Sequence, residues 1–363
     1  MFCKRLHFVT GVAVVLCLLG SMFVLADHKD GHSNGGGNGG GGDGGGDTLV
    51  NPALVYVETD AIITIATADG QVVERLTGAT KGWSIKRSAP VWSPDGTMIA
   101  YVEDRDDDSS LYPMLYMMNA DGSNPTLVHN FAGYPERHTG LTWLSGSIIH
   151  FSRYEDACFL DLLDGSVQCL GLNLLHSYVG PTAVGPGVDP SLPGASGLVA
   201  YAAVDEGVSN DLDIYIGEVF TDFDGSLLLD PTTITRLDLP GRQNHPVVSP
   251  DGLQIAFYDD AHADGGDTLA VVDLLYDASA IDFGAVQTLL EGTLGEFRLP
   301  PTWSPDSQWI AFTWQPDNNL KRMGVPFEIA RIRPDGTDFT NVTNSSSHEV
   351  GPNWNPTWDP NGP

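Results

Sequence analysis

Positive charge is scarce in this chain. Its 363 residues hold 17 Lys+Arg against 47 Asp+Glu, a formal net charge of −30. Nucleic-acid binding needs a basic footprint over phosphates, so that class is excluded. Docking on anionic lipid is excluded on the same ground. Cysteine is scarce too, with four in all. Local signatures of catalysis are missing: there is no Gly-x-Ser-x-Gly nucleophile elbow, no phosphate-binding loop and no EF-hand spacing. What the chain has is 42% apolar residues, enough for a large core, with 42 Gly and 24 Pro for many turns. It reads as an acidic, turn-rich, globular protein.

The N-terminus reads as an address. Lys4 and Arg5 precede an apolar run, Phe8 to Ala26, ending in Val24-Leu25-Ala26 with small residues where a signal peptidase cuts. Residues 1–26 are therefore expected to be a signal peptide, with the protein periplasmic or secreted. The alternative is an uncleaved membrane anchor, since the run is close to the ~20 residues that span a bilayer; a cleaved signal leaves no stable membrane insertion. Residues 27–51 follow as a flexible linker: ten of the twelve residues Gly35–Gly46 are glycine, and no side chain there offsets the ordering entropy. Cys158 and Cys169 then remain in the mature chain, either side of the turn dipeptide Asp164-Gly165. An oxidising compartment makes a disulfide between them one reading, and two small buried thiols the other.

One pattern organises residues 52–363. Its clearest copy is Pro90-Val91-Trp92-Ser93-Pro94-Asp95-Gly96, then Ile99-Ala100-Tyr101. Pro301-Thr302-Trp303-Ser304-Pro305-Asp306-Ser307 leads to Ile310-Ala311-Phe312, and Pro246-Val247-Val248-Ser249-Pro250-Asp251-Gly252 leads to Ile255-Ala256-Phe257. Pro presets φ for a tight turn, Asp takes backbone N–H groups and Gly accepts positive φ. The alternation that follows is strand patterning, and the Trp is a block for packing between sheets. A second hairpin lies downstream of most copies, at Asp121-Gly122, Asp335-Gly336 and Asp69-Gly70. Four strands per unit at this period are propeller blades. Blades are expected near 88–130, 138–172, 176–240, 243–292 and 297–344. Residues 53–78 supply three strands of a sixth, closed by a C-terminal strand placed at Pro356-Thr357-Trp358-Asp359-Pro360. The Pro/Gly-rich stretch Gly180 to Gly197 leaves room for a seventh unit. The fold class is all-β: a six-bladed propeller of four-stranded antiparallel blades.

The repeat resembles the TolB-type propeller family, also called PD40 or WD40-like repeats. The resemblance covers residues 53–363, with only the signal and glycine spacer ahead of it in place of the TolB α/β domain. It implies a binding and interaction module with a protein or peptide partner, an acidic polysaccharide being the other partner class. As a chain it is expected to be a monomer and to lean away from enzyme activity.

Inner strands of a propeller line its channel. Counting five residues back from the Trp position places Arg87, His138, Gln243, Arg298 and Asn353 at one mouth, with His176 and His245 in comparable stretches. These seven are the candidate binding residues, forming a locally positive funnel that captures a carboxylate. Polar residues lining any wet channel are the plain alternative. No catalytic residue and no cofactor is assigned. Two cation readings stay open. A transition metal could sit on His138, His176, His245 or His348 with Gln243, similar to the manganese site of oligogalacturonate lyase-type propellers, which would make the chain a metal-assisted carbohydrate lyase. Calcium could sit in the acidic loops Asp104–Asp108 and Asp259–Asp267, which otherwise read as solvated loops.

Overall fold

The computed structural model describes residues 52–79, 85–105, 113–131, 139–153, 156–172, 178–184, 196–204, 212–222, 226–260, 267–276, 281–294, 299–315 and 325–360. The signal and linker segments, 1–26 and 27–51, lie outside them.

Strands that alternate inward and outward residues form six antiparallel sheets. Blade 1 runs Glu349–Trp354, Leu54–Glu58, Ile62–Ala66, Val72–Arg75, so the C-terminal strand pairs with three N-terminal ones. Blade 2 begins with Ile85–Trp92, blade 3 with Thr139–Ser145 and blade 4 with Tyr178–Val184. Blade 5 begins with Gln243–Val248 and blade 6 with Thr302–Trp303. These first strands touch one another in sequence, and the ring returns from Thr302–Trp303 to Glu349–Trp354. They are the inner wall, and the molecule is a closed six-bladed β-propeller. The stretch between Tyr178–Val184 and Ser196–Val204 joins two strands of one sheet, so it adds no seventh blade. Blade 4 has its outer edge split into Leu227–Leu229 and Thr235–Leu237, both paired to Asp213–Thr221.

The core is distributed. Six apolar clusters each occupy one seam between neighbouring blades. The repeat Trp supplies a block for four of them: Trp92 between blades 1 and 2, Trp143 between 2 and 3, Trp303 between 5 and 6, Trp354 between 6 and 1. Val248 fills the same place between blades 4 and 5. Burying one indole removes enough apolar surface to contribute about 4 kcal/mol. Trp303 also donates its Nε1–H to the Val247 carbonyl of blade 5 at 3.0 Å.

The Ser-Pro-Asp-Gly turn repeats atom for atom. Ser93 Oγ donates to Asp95 Oδ1 at 2.6 Å and accepts the Met98 N–H at 2.9 Å. Ser249 with Asp251, and Ser304 with Asp306, make the same pair of bonds. The hydroxyl of Ser93 and that of Thr97 hold the Asp95 carboxyl below its ordinary range. Gly96 sits at φ +70°, and a Cβ there would lie 2.7 Å from Thr357 Oγ1 of blade 1. In the third copy Ser307 takes this left-handed place at φ +57°. Its Oγ accepts the Asp251 N–H of blade 5, which recovers part of the strain.

Four inner strands share a second device, a bulge with a left-handed residue three positions before the Trp place. Ala89, Gly140, His245 and Gly351 occupy it, each where the pairing register shifts. This corrects the frame of the closing strand. Trp354, not Trp358, stands in the Trp position, and the repeat copy is Pro352-Asn353-Trp354-Asn355-Pro356. Two Pro-x-Trp-x-Pro frames overlap here, offset by four residues, and only the earlier has the bulge glycine in place. Trp358 packs against Trp354 with ring centroids 4.9 Å apart.

In blade 3 Cys158 and Cys169 are register partners on adjacent strands and are joined in a disulfide.

Candidate functional site

The mouth where the inner strands begin gathers several of the singled-out residues. Arg87 lies on the inner strand of blade 2. Its Nε donates to Glu103 Oε2 at 3.1 Å, and its Nη1 to the Ala61 carbonyl at 2.9 Å, Thr77 Oγ1 at 3.3 Å and the Gly78 carbonyl at 3.3 Å. It therefore ties blade 2 to blade 1, its charge matched by a buried carboxylate. Gln243 opens the inner strand of blade 5 and is fully buried. Its Nε2 donates to the Pro240 carbonyl at 3.3 Å and Asp259 Oδ1 at 3.2 Å. Its Oε1 is shielded and has no hydrogen-bond partner among the described residues.

His245 is buried with its backbone at φ +53° and its ring 5.9 Å from that of Tyr258. It is a bulky side chain at a position that takes Ala89, Gly140 and Gly351 in blades 2, 3 and 1. Tyr258 in turn donates its hydroxyl to the Leu299 carbonyl at 3.1 Å, ahead of blade 6. Asn353 lies deeper in the closing strand, where its Oδ1 accepts the Trp92 N–H at 3.2 Å. It stitches blades 1 and 2. His348 accepts the Phe327 N–H on its Nδ1 at 3.1 Å and lies against the Phe327 ring. His138, His176 and Arg298 lie outside the described residues, as do Asp106–Asp108 and Asp264. Among the described residues no group of three or more His, Cys, Asp or Glu is placed to hold a metal ion.

The corrected frame puts another residue at the mouth. Five positions before Trp354 stands Glu349, which counting from Trp358 misses. Glu58 is its register partner on the next strand, and Glu328 of blade 6 lies close by. All three are buried. Glu58 accepts from Thr64 Oγ1 at 2.7 Å and pairs with Arg75 Nε at 3.0 Å. Glu328 accepts from Thr343 Oγ1 at 2.7 Å and from the Ser345 N–H at 3.0 Å. Glu349 takes the Ser345 hydroxyl on Oε1, while its Oε2 is shielded and has no partner among the described residues. Burial pushes the Glu349 carboxyl up to about 7; the Ser345 hydroxyl opposes this, and the charges of Glu328 and Glu58 add to it. Burial, with the charges of Glu58 and Glu349, also raises the Tyr56 hydroxyl.

Three cations at this end are paired: Arg87 with Glu103, Arg75 with Glu58 and Arg236 with Asp213 at 2.6 Å. Among the described residues no helix is long and apolar enough to cross a membrane.

TolB from Acinetobacter baumannii superposes on this chain with a TM-score of 0.59, covering 84% of this chain and 67% of that one at 18% identity. The chain has the TolB propeller fold. A chain of the nidogen/laminin complex shares the fold with a TM-score of 0.53 at 11% identity, covering 84% of this chain and 98% of that one. No protein-family model and no curated relative matches the sequence. The TolB-like fold thus rests on three-dimensional likeness, which at this identity speaks for architecture alone.

Proposed function

We propose that the chain is an exported propeller working as a protein-interaction module, which takes a segment of its partner at the mouth where the six inner strands begin. The observation that carries this reading is the register. Arg87, Gln243 and Glu349 each stand five residues before the Trp position of an inner strand, on a rim whose backbone is locked by bonds between blades. A rigid rim lowers the ordering cost of binding. The same fold occurs in a chain taken from a complex of two proteins, nidogen and laminin, which supports a protein partner. The net charge of −30 favours a cationic segment and steers its approach at low salt. Arg87 and Gln243 shape the rim, and the carboxyl of Glu349 lies beneath it. Export rests on Lys4, Arg5 and the apolar run to Ala26, in keeping with a disulfide between Cys158 and Cys169.

A photo-crosslinking side chain placed at exposed Lys86, beside the rim, tests this against one at exposed Leu253, on the turn end of blade 5. Protein adducts should form from Lys86 in the exported fraction of the producing cell, weaken as salt rises, and be few from Leu253. Equal adducts from both positions, or none from Lys86, would overturn the reading.

A further inference from the structure

Among the described residues, a guanidinium with no hydrogen bond on its shielded Nε lies outside that rim. Arg331 lies on the strand Glu328–Ile332 of blade 6, opposite Ala311 and Thr340. Its guanidinium stands over the Trp309 ring, 4.3 Å from the centroid. Arg333, two residues on and so on the same face of the sheet, stands 4.4 Å from that centroid. Trp309 itself packs into the seam between blades 6 and 1. Two of the chain's 17 basic residues thus share one indole.

Arg333 has a partner, Asp338, at 2.7 Å from its Nε. Arg331 has none among the described residues: its Nε is shielded without a hydrogen bond, and no carboxylate there lies within ion-pair distance. Nearby acids are engaged elsewhere. Asp69 holds the Thr67 hydroxyl and Asp335 the Thr337 hydroxyl. Withdrawing a guanidinium partly from water with no direct ion pair is unfavourable, and the cation–π contact offsets part of that cost. Burial accordingly draws the Arg331 guanidinium downward from its ordinary value, with the Arg333 charge adding to the effect and Asp69 opposing it. The side chain is only partly buried, so ligand can reach it.

We propose that Arg331, Arg333 and Trp309 form a receptor for a singly charged carboxylate. Planar guanidinium matches planar carboxylate through parallel N–H···O bonds. The single charge follows from the surroundings, because Asp69, Asp335 and Asp338 penalise a dianion more than a monoanion. This site is separate from the rim and stands or falls independently of the interaction reading.

The test uses the full chain with 15N-labelled arginine, following side-chain Nε–H signals by NMR at constant ionic strength. The shielded Nε–H of Arg331 exchanges slowly and is assigned by its loss in Arg331→Lys. Acetate, D-galacturonate and N-acetylglutamate amide are titrated in turn, with chloride and inorganic phosphate beside them. The expected result is a saturable shift of the Arg331 signal with carboxylates in the millimolar range, several-fold weaker with phosphate and absent with chloride. A preference for galacturonate over the glutamate derivative would point to sugar acids, the reverse to protein side chains; either supports the receptor. Arg333→Lys should keep the Arg331 signal and weaken carboxylate binding several-fold. No saturable shift with any carboxylate, tighter binding of phosphate, or unchanged affinity in Arg333→Lys would overturn the proposal.

Discussion

A glutamate enclosed with other carboxylates resists ionisation, and Glu349 is such a residue. Its carboxyl is pushed from an ordinary 4.5 up to about 7 by burial, helped by Glu328 and Glu58. Arg75, whose charge Glu349 feels, is spent on Glu58. The folded chain therefore binds this proton more tightly than the unfolded chain does. Stability from this group is full below about pH 4.5 and is lost as pH rises towards about 7, after which it is flat. The loss is at most about 3 kcal/mol. Glu349→Gln removes the titration and leaves an amide able to donate to Glu328. Urea denaturation of both proteins at pH 5 and pH 8 should show the variant gaining on wild type as pH rises. A difference that stays constant with pH would mean Glu349 ionises without penalty. This residue was hidden in the sequence by an ambiguity of frame. Pro352-Asn353-Trp354-Asn355-Pro356 and Pro356-Thr357-Trp358-Asp359-Pro360 both fit the repeat, and only the left-handed Gly351 separates them.

At the scale of the element, what was legible was what is local. Ser93, Asp95 and Gly96 close their turn within a few residues, so their chemistry can be read along the chain, and three blades followed from three copies. Contacts that stitch blades together were not legible. Arg87 looked like an open anchor because Ala61 and Gly78, whose carbonyls it holds, belong to another blade. Asn353 and Trp92 are 261 residues apart. The disulfide is an intermediate case: the turn at Asp164-Gly165 brought Cys158 and Cys169 to facing strands, but register decided the pairing. That bond spans 11 residues, and closing a loop of this size in the unfolded chain is worth about 3 kcal/mol. Cys158→Ala/Cys169→Ala should lose about 2–3 kcal/mol in denaturant melts. Hydrogen exchange should quicken first in Val167–Cys169, the short outer strand of blade 3. An unchanged melt would mean the bond adds nothing beyond the strand pairing already there.

Across the whole molecule the ring has one closing joint, and it lies where the two ends of the propeller meet. Four of the six seams join blades made of consecutive chain. Blade 1 alone is built from both ends, with Leu54 facing Trp354 and Glu58 facing Glu349. Asn355 adds its N–H to the Ala53 carbonyl at 2.7 Å and its Nδ2 to the Pro52 carbonyl at 3.0 Å. Without this joint the strand Leu54–Glu58 becomes a bare edge and the seam between blades 6 and 1 opens. Trp354 is the block in that seam, 3% exposed, whereas Trp358 is half-buried and packs against the margin of the same cluster. Trp354→Ala should therefore cost about 3–5 kcal/mol, and Trp358→Ala about 1 kcal/mol. Because the seams share strands around a closed ring, the Trp354→Ala loss should appear as one cooperative transition at lower denaturant, with all blades melting together. Equal costs for the two variants would return the closing strand to the later frame. A separate early transition confined to blade 1 would show that the ring holds without its joint.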